Sequence, residues 1–162
     1  MKKVLILALL TTLSVVVAVA ETPQFFAFEL GSGAAYNVDT GEVVTSNSMG
    51  FTYTFSEAFK GGFSFTEIDG ISIDTINISI VPAENATLTM YTGSITTPAA
   101  GAVPAATELG FGVGLGYDFF TNTKSIFTSL GLYLDWFASN GGSYDIANGG
   151  VISMGLKTKI GL

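Results

Sequence analysis

Glycine occupies every second position from Gly110 to Gly116 in the segment "ELGFGVGLGYDFF", residues 108–120. A glycine-rich segment cradles a phosphate when it follows a strand and opens a helix. Here the residues between the glycines are apolar, and the alternation continues past them through Tyr117 and Phe119. A period of two predicts a β-strand, so we interpret the segment as a strand with one face of small residues. That face consists of Gly110, Gly112, Gly114 and Gly116.

Charged side chains on the polar faces of other predicted strands suggest a second kind of site. They are Glu29, Asp74, Asp118, Asp135, Lys157 and Lys159. Because a buried charge requires a partner, we expect a carboxylate–lysine network across a barrel interior. The network either closes the interior or lines a narrow ion path, and the small bore of an eight-stranded barrel favours closure. Two further lysines, Lys60 and Lys124, are assigned to short turns.

The composition excludes much enzyme chemistry. The chain has no cysteine, histidine or arginine, which removes thiol nucleophiles, Ser-His-Asp catalysis and most zinc sites. The acidic segment "NVDTGE", residues 37–42, lacks the full set of oxygen ligands that a calcium loop supplies. We therefore predict no enzymatic activity, no cofactor and no metal site. The net charge of −7 also disfavours nucleic acid as a partner, since nucleic-acid binding depends on basic side chains.

The first twenty residues have the pattern of a secretory signal peptide. Two lysines precede an apolar run that ends in Ala18-Val19-Ala20, a small-x-small cleavage site. An uncleaved membrane anchor is the alternative. We expect residues 1–20 to be removed and residues 21–162 to form a single domain. Loss of Lys2 and Lys3 takes the net charge from −7 to −9.

The rest of the chain alternates between apolar and polar residues over long segments. This pattern predicts an all-β fold with about eight strands, near residues 24–33, 49–57, 62–69, 71–80, 86–94, 107–119, 125–137 and 151–161. Several are as long as the nine to eleven residues that a tilted strand needs to cross a bilayer. In the fourth strand the alternation slips by one at Thr75, which suggests a β-bulge. We predict a transmembrane, up-and-down antiparallel β-barrel.

The connections between these strands alternate in length. Short turns face longer polar loops at residues 34–48, 95–106 and 139–150, as in outer-membrane barrels with periplasmic turns and outer loops. We expect the loops to present any surface for a host or other external ligand. The segment "TNTK", residues 121–124, offers a two-residue hairpin turn, and this turn would place Gly112 opposite Tyr133 so that the ring covers the glycines.

Large residues dominate one face of the strands, and small or polar residues the other. The mean hydropathy of +0.53 is high, and six or seven strands of Phe, Leu and Ile would overfill an eight-stranded interior. The large face is therefore predicted to contact lipid. Aromatic side chains near the strand ends are expected to form two girdles at the membrane interfaces. They include Phe26, Phe28, Tyr117, Phe119 and Trp136.

These features resemble the small eight-stranded outer-membrane β-barrels of the OmpX, OmpW and OmpA-barrel type. The resemblance covers residues 21–162 and rests on architecture, although Leu162 stands where the family ends in an aromatic residue. It implies a bacterial outer-membrane location, a structural or surface-adhesion role with at most a narrow pore, and outer-membrane lipids and the assembly machinery as partners. A secreted soluble barrel that binds a small apolar ligand, as lipocalins do, is the alternative.

Overall fold

The computed structural model describes residues 25–101, 104–122 and 127–161, and these residues form an all-β fold. The predicted signal peptide at residues 1–20 lies outside them. Eight antiparallel strands are β1 (Phe25–Asn37), β2 (Val43–Thr54), β3 (Phe59–Ile68), β4 (Ile71–Ala83), β5 (Ala86–Thr97), β6 (Ala106–Thr121), β7 (Phe127–Ser139) and β8 (Val151–Gly161). No helix within the described residues has the length and apolar character needed to cross a membrane.

The strands close into an up-and-down barrel in which each strand pairs with its neighbours in sequence and β8 pairs with β1. A path drawn from each residue to its partner on the next strand goes once around the barrel. It runs through Phe26, Tyr53, Gly61, Ile78, Met90, Val113, Trp136, Ile152 and Tyr36. The circuit thus returns to β1 ten residues further along. With about 3.3 Å per residue and about 4.8 Å between strands, this stagger tilts the strands by about 40°.

The predicted eight-stranded antiparallel barrel is therefore confirmed, including a fifth strand with a weak pattern. One end of the barrel, here called the turn end, carries the connections at residues 55–58, 84–85 and 122–126. The opposite end, the loop end, carries residues 38–42, 69–70, 98–105 and 140–150. Strands β1, β2 and β5 extend further toward the loop end than predicted, which shortens the loops expected at residues 34–48 and 95–106.

The bulge predicted at Thr75 is wrong. The pairing of β4 with both β3 and β5 is unbroken around Thr75, and the β4–β5 register shifts only between Ile80 and Ala83. Ile73 instead points into the barrel and is buried, whereas Ile76 points outward and is exposed. The slip in the pattern therefore reflects a change in which side of the wall is apolar, and the strand itself is continuous.

The predicted register between β6 and β7 is also wrong, by four residues. Gly112 lies opposite Phe137, and Tyr133 lies opposite Gly116. Thr121 lies opposite Ser129 and not opposite Lys124, as the predicted two-residue turn requires, and residues 123–126 lie outside the described residues. The error is five residues next to the connection, where Thr121 lies opposite Ser129, and the irregularity between Asp118 and Phe120 reduces it to four along the rest of β6. Because an error of four is an even number of residues, each side chain from Gly110 to Asp118 stays on its predicted face of the sheet.

Candidate functional site

The turn-end part of the barrel interior is a polar chamber that contains two ion pairs. Lys159 Nζ lies 2.7 Å from Asp118 Oδ2, a charge-assisted hydrogen bond that connects β8 to β6. Lys157 Nζ lies 3.6 Å from Glu29 Oε2. The other oxygen of Glu29 accepts a hydrogen bond of 2.8 Å from the Thr52 hydroxyl. These contacts connect strands β1, β2, β6 and β8 through the interior.

Asp135 occupies the deep end of the chamber. Its side chain is buried, and its Oδ1 accepts a hydrogen bond of 3.0 Å from the Tyr91 hydroxyl. Lys157 extends toward the same region and lies 5.3 Å from the centroid of the Tyr133 ring, within the range of a cation–π interaction. The Tyr133 hydroxyl is buried and has no protein partner among the described residues. Lys157 therefore joins the Glu29 carboxylate to an aromatic wall.

Lys60 is a chamber residue whose inward position the sequence pattern did not predict. It was assigned to a turn, but it belongs to β3 and lines the chamber together with Glu29 and Asp118. The alternation of β3 marks its inward direction, because Phe59 and Phe63 on either side of it are exposed outward. Proximity to a predicted turn concealed that pattern.

Asp74, by contrast, was wrongly predicted to face the interior. It is exposed on the outer surface, where its Oδ1 accepts a hydrogen bond of 2.8 Å from Ser72. The error follows from the supposed bulge at Thr75. With Lys60 included and Asp74 excluded, the described lining residues of the chamber contain three acids and three lysines, so the interior charge is formally balanced.

An apolar plug closes the loop-end part of the interior. Its buried members are Ala35, Ile68, Ile73, Tyr91, Ile95, Phe137, Tyr144 and Val151. Tyr144 comes from the loop between β7 and β8, and its hydroxyl donates a hydrogen bond of 3.3 Å to the Ile68 carbonyl across the barrel. Burial, with Asp69 contributing, raises the pKa of the Tyr144 phenol above its ordinary value, which keeps the phenol a neutral donor. The loop therefore covers the barrel mouth.

The glycines of β6 make room for these interior side chains. A Cβ added at Gly110 would lie 2.6 Å from Ile95 Cγ1, and one added at Gly112 would lie 2.8 Å from Phe137 Cδ1. A Cβ at Gly114 would collide with the Asp135 carboxylate. The predicted small, inward face of β6 is thus present, but its main partners are the plug and Asp135. Tyr133 is buried and faces only the last of the four, Gly116.

The outer surface of the barrel carries an apolar belt with members on all eight strands. Exposed belt residues are Leu30, Met49, Phe63, Phe65, Ile76, Ile78, Met90, Val113, Leu115, Leu132, Leu134, Met154 and Leu156. At the turn end the belt is bordered by aromatic side chains, including exposed Phe26, Tyr117 and Phe119 and half-buried Phe28. Trp136 lies toward the loop end, where its indole donates a hydrogen bond of 2.8 Å to the Gly149 carbonyl.

The predicted second aromatic girdle is incomplete. Among the described residues, outward aromatics near the loop end are confined to Tyr36, Phe111 and Trp136 on β1, β6 and β7. The described outward residues of β2 to β5 at that level are polar except for Val43. The two ends of the barrel therefore differ in their exterior chemistry.

The chamber suits charge pairing and water better than ligand chemistry. Its volume of about 50 Å³ is large enough for a few water molecules but far below the roughly 300–1,000 Å³ of small-molecule sites. No group of three or more acidic side chains that could hold a metal ion occurs within the described ranges. The geometry describes a polar interior held together by ion pairs beneath an apolar seal.

Comparison with known proteins identifies no relative, because neither the protein-family models nor the curated proteins contain a match to this chain.

Proposed function

We propose that this protein is an integral β-barrel of the bacterial outer membrane, with a structural, surface-interaction or adhesion role and no enzymatic activity. The observation that carries the proposal is the polarity of the barrel wall. Every strand exposes large apolar side chains outward in the turn-end two thirds of the barrel, interrupted by the hydroxyl residues Ser32, Thr92 and Thr158, while inward ones include three acids and three lysines. An apolar exterior around a polar interior is the arrangement that lipid requires.

Closure of the backbone supports the same proposal. All eight strands are paired on both sides, so the wall has no free edge. In hydrocarbon, unpaired backbone groups cost several kcal/mol each, which makes closure compulsory there. On β6 the apolar side chains run from Leu109 to Phe120, which at the 40° tilt gives a height of about 27 Å, close to the roughly 25 Å band of outer-membrane barrels.

Membrane integration can be tested by extraction and by gel mobility. We expect the protein to remain with the membrane after an alkaline carbonate wash, to require detergent for release, and to migrate differently in SDS gels before and after boiling. Recovery in buffer without detergent would contradict the proposal and favour the soluble alternative. A matched soluble periplasmic protein from the same cells serves as the control for the wash.

The plug and the chamber support a barrel that does not conduct. Phe137, Ile68 and Val151 are at most 1 % exposed and fill the bore beneath Tyr144. In a planar bilayer we expect no stepwise conductance from the purified protein. Discrete openings in the unmodified protein would show that the interior charges line an ion path, which was the second interpretation of the network.

A soluble barrel that binds an apolar ligand is the alternative function. Lipocalin-type barrels hold such ligands in the barrel interior, whereas here the chamber is charged and small and the loop end is filled. A fluorescent fatty-acid probe should therefore show no saturable binding to the detergent-solubilised protein beyond its partition into micelles. Stoichiometric displacement by a natural lipid would support the alternative.

The loop end is the surface that we propose for contact with an external ligand. It carries Asp39, Glu42, Asp69, Glu108 and Asp145, with no lysine in the described loop residues. A partner at this surface must therefore tolerate or complement negative charge, and nucleic acid is disfavoured. Binding of intact cells to immobilised basic host proteins, compared with cells that lack the protein, tests this role.

A further inference from the structure

The exterior of the barrel is divided into two halves near the loop end. The division lies in the loop-end collar, defined here as the outward-facing residues above the complete apolar belt. Its polar half, on β2 to β5, includes Asn47, Glu67, Ser72, Asp74, Ser94 and Thr96, and Val43 at the loop-end start of β2 is the apolar exception. Its apolar half, on β6, β7, β8 and β1, includes Leu109, Phe111, Trp136, Ile152 and Tyr36, and Ser32 on β1, beside the polar half, is the polar exception. The two halves occupy opposite sides of a closed barrel, so the polarity of the collar changes with position around the barrel.

The register gives the relative heights of the two halves. From Asn47, pairing partners lead through Glu67, Ser72 and Thr96 to Thr107. These four of eight steps climb by half of the ten-residue stagger, which is five residues toward the loop end.

Leu109 lies two residues below Thr107 on β6, so it is three residues nearer to the loop end than Asn47. At about 2.5 Å of height per residue of tilted strand, the difference is about 8 Å. Leu109 is nevertheless apolar and 71 % exposed, whereas Asn47 and the carboxylates of Glu67 and Asp74 are exposed below it.

We infer that the hydrocarbon boundary of the loop-end leaflet crosses the barrel obliquely, with acyl chains covering the apolar half of the collar and water reaching the polar half. The inference rests on the proposed membrane location. Charged groups are disfavoured against acyl chains, at a cost that falls toward the interface, so on β3 and β4 the boundary lies below Glu67 and Asp74. On the opposite side the boundary lies above Leu109 and the other residues of the apolar half.

The interior supports the same division. At the level of the polar half, the inward side chains are the plug residues Ile68, Ile73 and Ile95. That part of the wall has apolar residues inside and polar residues outside, as a water-soluble barrel has. On β3 the apolar belt runs only from Phe59 to Phe65, a height of about 15 Å, which is shorter than the roughly 25 Å band. A short apolar stretch is accommodated by thinning of the bilayer or by tilting, so the membrane beside β3 to β5 is thin relative to the barrel wall.

Single-cysteine variants test this inference, because the natural chain contains no cysteine. Leu109→Cys, Asn47→Cys and Ile78→Cys are each spin-labelled and reconstituted into dimyristoylphosphatidylcholine vesicles. The measured quantity is the accessibility of the label to oxygen, which concentrates in lipid, relative to a water-soluble nickel chelate. We expect an oxygen-favoured ratio at Leu109 and Ile78 and a nickel-favoured ratio at Asn47, despite the lower position of Asn47 on the barrel.

The three labels separate failure of the inference from failure of the proposed function. An oxygen-favoured label at Ile78, together with labels at Leu109 and Asn47 that agree with each other or are reversed, would overturn the oblique boundary and leave the membrane barrel standing. A nickel-favoured label at Ile78 would overturn both. Unboiled gel mobility of each labelled variant confirms that the barrel has folded, and Ser94→Cys provides a second position on the polar half.

Discussion

Two glycines on the same face of β6 provide a matched test of the packing. A Cβ added at Gly112 would lie 2.5 Å from the Trp136 carbonyl oxygen and 2.8 Å from Phe137 Cδ1. The first of these is backbone, so it cannot rotate away. A Cβ added at Gly116 would meet nothing nearer than 3.7 Å, the distance to the Thr87 Cβ. The Gly112→Ala variant therefore has to displace the wall, and Gly116→Ala does not.

The two variants should differ in the free energy of unfolding by about 2 kcal/mol. Overpacking of a filled interior costs about 1–3 kcal/mol, and we expect Gly112→Ala to lose an amount in this range. Gly116→Ala should be neutral or gain up to about 0.5 kcal/mol, because alanine restricts the unfolded chain more than glycine does. The larger Gly112→Leu substitution should prevent folding of the barrel.

Urea titration in detergent micelles, followed by far-ultraviolet circular dichroism, measures the difference. Trp136 fluorescence is unsuitable as the main signal because the carbonyl of that residue is the group displaced. Equal destabilisation by the two alanine variants would refute the packing argument, as would a stable Gly112→Ala variant. Either result would mean that the plug is looser than the structure describes.

Three further substitutions test the interior contacts by the same unfolding measurement. Asp118→Asn removes the carboxylate that pairs with a lysine at 2.7 Å and should cost about 2 kcal/mol; the exposed Asp74→Asn control should change stability by less than about 0.5 kcal/mol. In the unmodified protein the buried hydroxyls of Ser46 and Ser153 lie 2.7 Å apart, and Ser46→Ala leaves the Ser153 hydroxyl unpaired at a cost of about 1–3 kcal/mol. The loss of stability in the Ser46→Ala/Ser153→Ala double variant should be smaller than the sum of the losses in the two single variants. Tyr144→Phe removes one hydrogen bond but keeps the ring, so a loss of more than about 1.5 kcal/mol would contradict its assignment as a single bond.

The sequence predicted the barrel well where each face of a strand keeps the same polarity along the whole strand. β6 is the clearest case, since its inward glycines and outward large residues alternate from Gly110 to Gly116. The register with β7 could not be predicted, because an error of four residues leaves the faces unchanged and the connection gave no strong turn signal. Lys60 was missed because it was assigned to a short turn, with only Phe59 and Phe63 to reveal the direction of its side chain.

The slip in the alternation at Thr75 carries more information than a bulge would. A bulge changes the pairing with at least one neighbouring strand, yet the partners of β4 continue in order from Ser72 to Ile80 on both sides. What inverts is the environment, since Ile73 packs inside the plug while Ile76 lies outside in the belt.

The same inversion occurs on β3, where Phe65 faces outward and Ile68 inward, but β6 keeps its apolar face outward to Leu109. In a barrel that crosses a membrane, the apolar face of a strand must change from inward to outward where the wall passes from water to lipid. In the water-exposed part of the wall the apolar side chains face the plug, and in the lipid-exposed part they face lipid. The position of the inversion on each strand therefore gives the height of the boundary on that strand. It lies below the polar collar on β3 and β4 and is absent on β6, in agreement with the oblique course inferred above.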